Sequence, residues 1–272
     1  MLKGKKITII GGGKMGGIIA QGLIDQKISS RKDIVITDID AARLDFLRSS
    51  MNIKVFQNNE KAAKNADIII LAVKPQNMAA TLQEIKTAIN KSQVVISIAA
   101  GITTSFIEKS LIKGVRVVRV MPNTPALVGK GTAAVAGGRY AKANDVNLTR
   151  AIFDAVGISV ETNEKLMDAV TGLSGSGPAY FFLIIEALIE AGLKTGLSRS
   201  LAKQLAANTM LGAAHLCLHS DKEPAQLREM VTSPGGTTAA GLKVMEERNI
   251  REIITSAVQA ATNRSKELAK GK

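Results

Sequence analysis

A short apolar stretch, Lys6-Ile7-Thr8-Ile9-Ile10, runs directly into Gly11-Gly12-Gly13-Lys14-Met15-Gly16 and then into Ile18, Ile19 and Leu23. Glycines spaced G-x-G-x-x-G between a β-branched run and a helical apolar pattern restrict the backbone to strand, tight turn and helix start. Gly11 turns the chain, Gly13 leaves room for main chain to approach a pyrophosphate, and Gly16 lets helix and strand pack closely. Lys14 and Met15 open the helix, where the first N–H groups lack internal partners and attract an anion. A ligand-free β–α turn can be spelled the same way, so the fingerprint takes its weight from the rest of the chain.

Beyond it the sequence alternates between strand and helix patterns. Ile34-Val35-Ile36-Thr37 reads as a second strand ending at Asp38, which lies 22 residues beyond Gly16. A carboxylate there hydrogen-bonds a ribose 2′-hydroxyl and repels a 2′-phosphate, which favours NAD(H); Arg43, in the next helical start, is placed to approach a 2′-phosphate or to pair with Asp40. The phosphate state of the cofactor stays open. Further strands are expected at 53–56, 68–73, 94–98, 115–120, 131–136 and 158–161, with helices at 59–64, from Lys74-Pro75-Gln76 to about 89, and at 142–156. Continuous Val/Ile runs mark strands covered on both faces, as in a mostly parallel, doubly wound Rossmann sheet. Ligands in such sheets sit beyond the carboxyl ends of the strands, so Ala72-Val73-Lys74-Pro75, Ala99-Ala100-Gly101 and Met121-Pro122-Asn123-Thr124-Pro125 are expected to face the dinucleotide. Lys74 is equally readable as a solvated loop lysine.

After Thr162 the strand signal stops and Ala, Leu, Gly and Met recur at helical spacing. The chain is therefore expected to divide into a dinucleotide-binding domain, 1–162, and an all-helical substrate and dimerisation domain, 163–272. Between Ser198 and His219 the apolar residues cover nearly the whole circumference, so that helix must be enclosed, and a large homodimer interface is the expected enclosure. The longest apolar run, Tyr180 to Leu197, is interrupted by Glu186, Glu190 and Lys194, so no membrane span is expected. The 36 basic against 23 acidic residues give a net charge of +13. They are scattered and accompanied by only 3% aromatics, which argues against nucleic-acid binding and for a field that steers anionic ligands. No signal-peptide core is present at the N-terminus, and a single Cys217 suits a reducing cytoplasm. His215, Cys217 and His219 lack the Glu and the third ligand of a zinc helix, so no metal is expected.

Two hydroxyl-rich, glycine-broken turns remain: Gly172-Leu173-Ser174-Gly175-Ser176-Gly177-Pro178-Ala179-Tyr180 and Met230-Val231-Thr232-Ser233-Pro234-Gly235-Gly236-Thr237-Thr238. The second feeds a helix, so main-chain N–H groups and hydroxyls can converge on one small anion. An ordinary N-cap, Ser233 before Pro234 at the first helical position, is the plainer account. The first turn shares the glycine frame of β-hydroxyacid dehydrogenases. It carries Phe181 and Ile185 where those enzymes need their catalytic lysine and asparagine, which excludes alcohol oxidation in that frame. An imine, whose protonated carbon accepts hydride without a strong protein base, suits such a site.

Taken together, the fingerprint with Met15, Ala72-Val73-Lys74-Pro75-Gln76, Met121-Pro122-Asn123-Thr124-Pro125 and the two turns resemble the pyrroline-5-carboxylate reductases in order along essentially the whole chain. The resemblance implies NADP(H)- or NAD(H)-dependent reduction of 1-pyrroline-5-carboxylate to L-proline in a cytoplasmic oligomer of dimers, often a decamer. It implies that Ser233, Gly236, Thr237 and Thr238 hold the substrate, with Ser176 nearby and Thr238 catalytic at the imine nitrogen. It sets Asn59, Lys74, Pro75, Asn123 and Thr124 against the cofactor. Asp38-Ile39-Asp40 departs from the small polar and basic pair of NADPH-preferring members. A six-membered cyclic imine differs from this substrate only in ring size; a dinucleotide-sensing regulator without turnover would not need the two hydroxyl–glycine turns.

Overall fold

The computed structural model describes residues 2–270. The chain divides into two compact units, one running to Ser176 and resuming at Ala260, the other spanning Gly177–Gln259. Composition changes near 162, whereas the units divide at 176 because residues 164–175 stay bound to the sheet: Met167 is fully buried beside Ala134 and Ala136.

The first unit is built on an eight-stranded sheet of order β3-β2-β1-β4-β5-β6-β7-β8. Its strands are β1 (Ile7–Ile10), β2 (Ile34–Thr37), β3 (Lys54–Phe56), β4 (Ile68–Leu71), β5 (Val94–Ser97), β6 (Arg116–Met121), β7 (Gly131–Gly137) and β8 (Gly157–Glu161). All pairs are parallel except β6–β7, which is antiparallel. The unbroken apolar runs are buried throughout β1, β4 and β5, as a sheet packed on both faces requires. Between the strands lie α1 (Lys14–Asp25), α2 (Ala41–Met51), α3 (Asn59–Lys64), α4 (Met78–Ile85), α5 (Thr104–Ser110) and α6 (Ala143–Phe153). Asp40, Asn58 and Thr103 start α2, α3 and α5 by accepting hydrogen bonds from main-chain N–H groups of the first turn. The helix expected from Pro75 to about 89 is shorter: Pro75–Asn77 form a 3₁₀ turn and α4 ends at Ile85. The seven-residue α5 is too short for its period to show in the sequence.

Residues 164–175 form a 3₁₀ turn, a single α-turn α7 (Met167–Val170) and a π-helical turn Thr171–Gly175, not one regular helix. Ser176 N–H reaches back to the Thr171 carbonyl at 2.8 Å, the five-residue span of a π-turn. The second unit contains α8 (Gly177–Lys194), α9 (Arg199–His219), α10 (Pro224–Met230), α11 (Thr237–Glu247) and the start of α12 (Ile250–Lys270), whose far end belongs to the first unit. The continuous helical stretch Glu164–Lys194 is long and apolar enough, by length and composition, to cross a membrane. Length and composition alone do not make it a span, since the core helix of a protein outside any membrane passes the same test.

In α9 only Ala202 and Ala206 are buried, while Leu211 and Leu218 are 65% and 78% exposed. Burying one such leucine stabilises by about 1.5–3 kcal/mol, so a row of them on a single chain is surface waiting for a partner.

Candidate active site

The glycine-rich turn has the division of labour that its spacing predicts. Gly11 has φ +108°, and a Cβ there would stand 2.7 Å from the Ala72 carbonyl. At Gly16 a Cβ would meet the Gly11 carbonyl oxygen, so α1 can lie on β1 only with hydrogen at that position. Nothing lies within 4 Å of a Cβ built at Gly13, an exposed residue that caps α1 without a side-chain hydrogen bond, and α1 has no acid in its first turn. Open space at the second glycine before uncapped N–H groups, those of Lys14 and Met15 among them, fits a dinucleotide pyrophosphate. Gly11 also packs against the Ala72–Val73 main chain, between β1 and β4, where the strand order reverses.

Asp38 sits at the end of β2, but its carboxylate is already engaged. Oδ2 accepts from Gly12 N–H at 2.7 Å and Oδ1 from Asp40 N–H at 3.0 Å. Arg43 pairs with neither acid: its Nε donates to the Gly12 carbonyl at 2.6 Å, its Nη2 lies 3.5 Å from the Gly13 carbonyl, and its guanidinium stands 5.1 Å over the Phe46 ring. Asp40 instead accepts from the first N–H groups of α2. The second strand's end thus presents a guanidinium against the glycine turn and a carboxylate hydrogen-bonded to main-chain donors. Asn59 is held from two sides, accepting from Thr37 Oγ1 and donating to Glu84 Oε2, both at 2.6 Å.

Lys74 is exposed and precedes the Pro75 turn, with Asn77 N–H bonded to its carbonyl at 2.9 Å. Ala100 lies beyond the end of β5. Gly101 is buried, has φ +68°, and a Cβ there would stand 3.0 Å from Leu268 Cβ in α12. Thr124 is exposed at the start of a 3₁₀ turn, while Asn123 uses both ends of its amide on main-chain groups.

A buried charge network lies outside the sequence expectations. Arg119, 2% exposed in β6, lies 3.2 Å from Glu164 and 3.7 Å from Asp168. Glu164 also accepts from Thr104 N–H at 3.0 Å, and Asp168 accepts from Ser265 Oγ of α12 at 2.7 Å. The signal for it is two arginines, Arg116 and Arg119, inside an otherwise apolar strand; Arg116 pairs with Asp145 at 2.6 Å. An arginine in a strand covered on both faces requires a carboxylate packed against that face.

In the second unit, α11 begins at Thr237 with Gly236 as N-cap, so Ser233 is not the cap and Pro234 is not the first helical residue. Gly235 has φ +71°, which lets Gly236 N–H close a turn onto the Ser233 carbonyl at 3.0 Å and delays the helix by three residues. The first intrahelical bond runs from Ala240 N–H to the Gly236 carbonyl at 3.1 Å, leaving the amides of Thr237, Thr238 and Ala239 ahead of it. No side chain caps this end and no acid lies in its first turn, so the donors remain available to an anion. His215 and His219 stack at 4.1 Å, and among the described residues no group of three or more His, Cys, Asp or Glu could hold a metal.

Known proteins resemble this chain along its whole length. The family profile described as pyrroline-5-carboxylate reductase dimerisation matches residues 164–268, and one described as NADP oxidoreductase, coenzyme F420-dependent, matches residues 6–101. The chain is 44% identical over 269 residues to a pyrroline-5-carboxylate reductase of Methanosarcina acetivorans, covering 99% of this chain and 100% of the relative. Its structure is similar to a pyrroline-5-carboxylate reductase of Coxiella burnetii, with TM-score 0.91, 41% identity, and coverage of 97% and 98% of the two chains. It is likewise similar to a Plasmodium falciparum pyrroline carboxylate reductase with NADP bound, at TM-score 0.90, 34% identity, and coverage of 99% and 100%.

Proposed function

The chain belongs to the pyrroline-5-carboxylate reductase family, and on that premise we propose how its residues divide the work of reducing 1-pyrroline-5-carboxylate to L-proline. The protein is an oxidoreductase acting on a C=N bond in the final step of proline biosynthesis. The reduced nicotinamide of NADP(H) supplies the hydride.

Gly11, Gly13, Lys14, Met15 and Gly16 hold the pyrophosphate, the open space at Gly13 being the observation that carries this assignment. Ala72, Val73, Lys74 and Pro75 line the other side of the crevice between β1 and β4, with Ala100 and Thr124 at neighbouring strand ends. In the second unit the amides of Thr237 and Thr238 at the start of α11 bind the substrate carboxylate, with Ser233 and Gly236 in the turn before them. The imine nitrogen takes its proton from solvent, and Thr238 Oγ1 hydrogen-bonds that nitrogen as the C=N π electrons move onto it and the ring carbon gains hydride. The family resemblance assigns Ser176 to the substrate as well. No side chain has to act as a strong base, because protonation at nitrogen is what makes the carbon accept hydride. Holding the reacting atoms in attack geometry is worth on the order of 7–11 kcal/mol, and this chemistry rests mainly on that term.

Arg43 favours the 2′-phosphorylated cofactor, since the Asp38 carboxylate is turned onto Gly12 and Asp40. Following oxidation of NADPH and of NADH in parallel with 1-pyrroline-5-carboxylate tests both parts. The expected result is turnover with a lower KM for NADPH, and a rise in that KM of about tenfold in Arg43→Ala, the loss of one charge-assisted contact. No imine-dependent oxidation with either dinucleotide contradicts the assignment of function.

The chain carries the dimerisation domain of the family. The exposed leucines of α9 support a homodimer built on these helices; assembly into a higher oligomer such as a decamer, in the cytoplasm and without nucleic-acid or membrane partners, is proposed from the family resemblance alone. Light scattering behind size exclusion should give a mass at or above that of a dimer; a monomer contradicts it.

A further inference from the structure

Resting on this reading of the site, we propose that Asn123 is a positioning residue that acts through the Thr171–Ser176 turn and not by touching the dinucleotide. Arg119, Met121 and Asn123 occupy every second position of β6 and its extended continuation, so they lie on one side of the strand. Each meets the same returning segment. Arg119 holds Glu164 and Asp168, Met121 lies under Gly175, where a Cβ would stand 2.6 Å from its Cε, and Asn123 Nδ2 donates to the Ser174 carbonyl at 3.1 Å.

The other end of the Asn123 amide accepts from Thr132 N–H at 2.8 Å. Both partners are main-chain groups of fixed polarity, one donor and one acceptor, so the amide has a single orientation that satisfies them. The side chain therefore bridges the start of β7 to the π-helical turn. That turn needs an outside anchor. Its Thr171 and Ser174 hydroxyls bond the carbonyls of Met167 and Val170, inside the same helical stretch, and contribute nothing to where the turn sits on the sheet. Ser176, assigned to the substrate, is the residue that closes the turn onto Thr171, so its location depends on that of Ser174.

The test compares Asn123→Asp and Asn123→Ala with the full-length parent chain. Three quantities are measured: the Kd of NADPH by fluorescence titration without imine, the kcat and KM for 1-pyrroline-5-carboxylate, and the mass and Tm of each variant. The expected result is an NADPH Kd within about twofold of the parent, with kcat/KM for the imine lowered by about tenfold to a hundredfold, the cost of a misplaced reacting group. Asn123→Asp should be the more damaged, because it sets a carboxylate oxygen against the Ser174 carbonyl. If that variant does not fold, Asn123→Ala, which removes the bridge without adding charge, carries the same comparison. A tenfold weaker NADPH Kd, or imine kinetics unchanged in Asn123→Ala, overturns the proposal. An inactive parent chain would instead overturn the assignment of function, and the dinucleotide titration distinguishes the two failures.

Discussion

Thr238→Ala is expected to lower kcat/KM for 1-pyrroline-5-carboxylate by on the order of 10- to 1000-fold, the range for one hydrogen bond realised in the transition state. The fold should not register the change. Thr238 is exposed in the single chain, α11 starts on Gly236 without a side-chain cap, and alanine is at least as good a helix former as threonine. Thr238→Ser, which keeps the hydroxyl, should retain most of the activity, and Thr237→Ala should act mainly on KM because its amide survives. Steady-state kinetics on the three variants decide the matter; parental kinetics in Thr238→Ala would remove that hydroxyl from the reaction.

The largest effect on stability is expected from Arg119→Met. Arg119 is nearly fully buried, and its removal leaves the Glu164 and Asp168 carboxylates side by side without a cation, at 25% and 23% side-chain exposure. Breaking one partner out of a buried ion pair costs about 3–5 kcal/mol, and the partial exposure of these carboxylates places the loss near the lower figure. Denaturant unfolding of the intact oligomer at pH 7 should show it. Adding Glu164→Gln and Asp168→Asn to Arg119→Met, which removes the two unpaired charges, should recover part of the lost stability. No recovery on removing those charges would mean that packing, not charge, is what Arg119 supplies.

The dinucleotide half of the fold was legible because its signals are local. Each buried strand is a continuous Val/Ile run, and each glycine of the turn has a steric reason that one position can state, as Gly16 against the Gly11 carbonyl does. Features that depend on residues far apart were not legible. The packing of Leu268 in α12 against Gly101 joins positions 167 residues apart, which no local pattern announces. Arg119 shows only that a strand carries an unexplained charge, and its partners lie 45 and 49 positions away. The delayed start of α11 depends on Gly235 adopting positive φ, a freedom that glycine has everywhere and uses at few places. The turn proposed for the substrate stands out by composition, since hydroxyls and glycines beside a helix start suit an anion, but the same residues spell an ordinary N-cap.

The path of the chain between its two units has a practical consequence. Residues 177–259 are a loop-out from the sheet unit, which takes back the polypeptide at Ala260 and fastens it through Ser265 to the acid that Arg119 holds. The polypeptide thus leaves one module and rejoins the same one. Any change to the excursion must therefore still hand the far half of α12 back to the sheet unit in register, with Ser265 against Asp168.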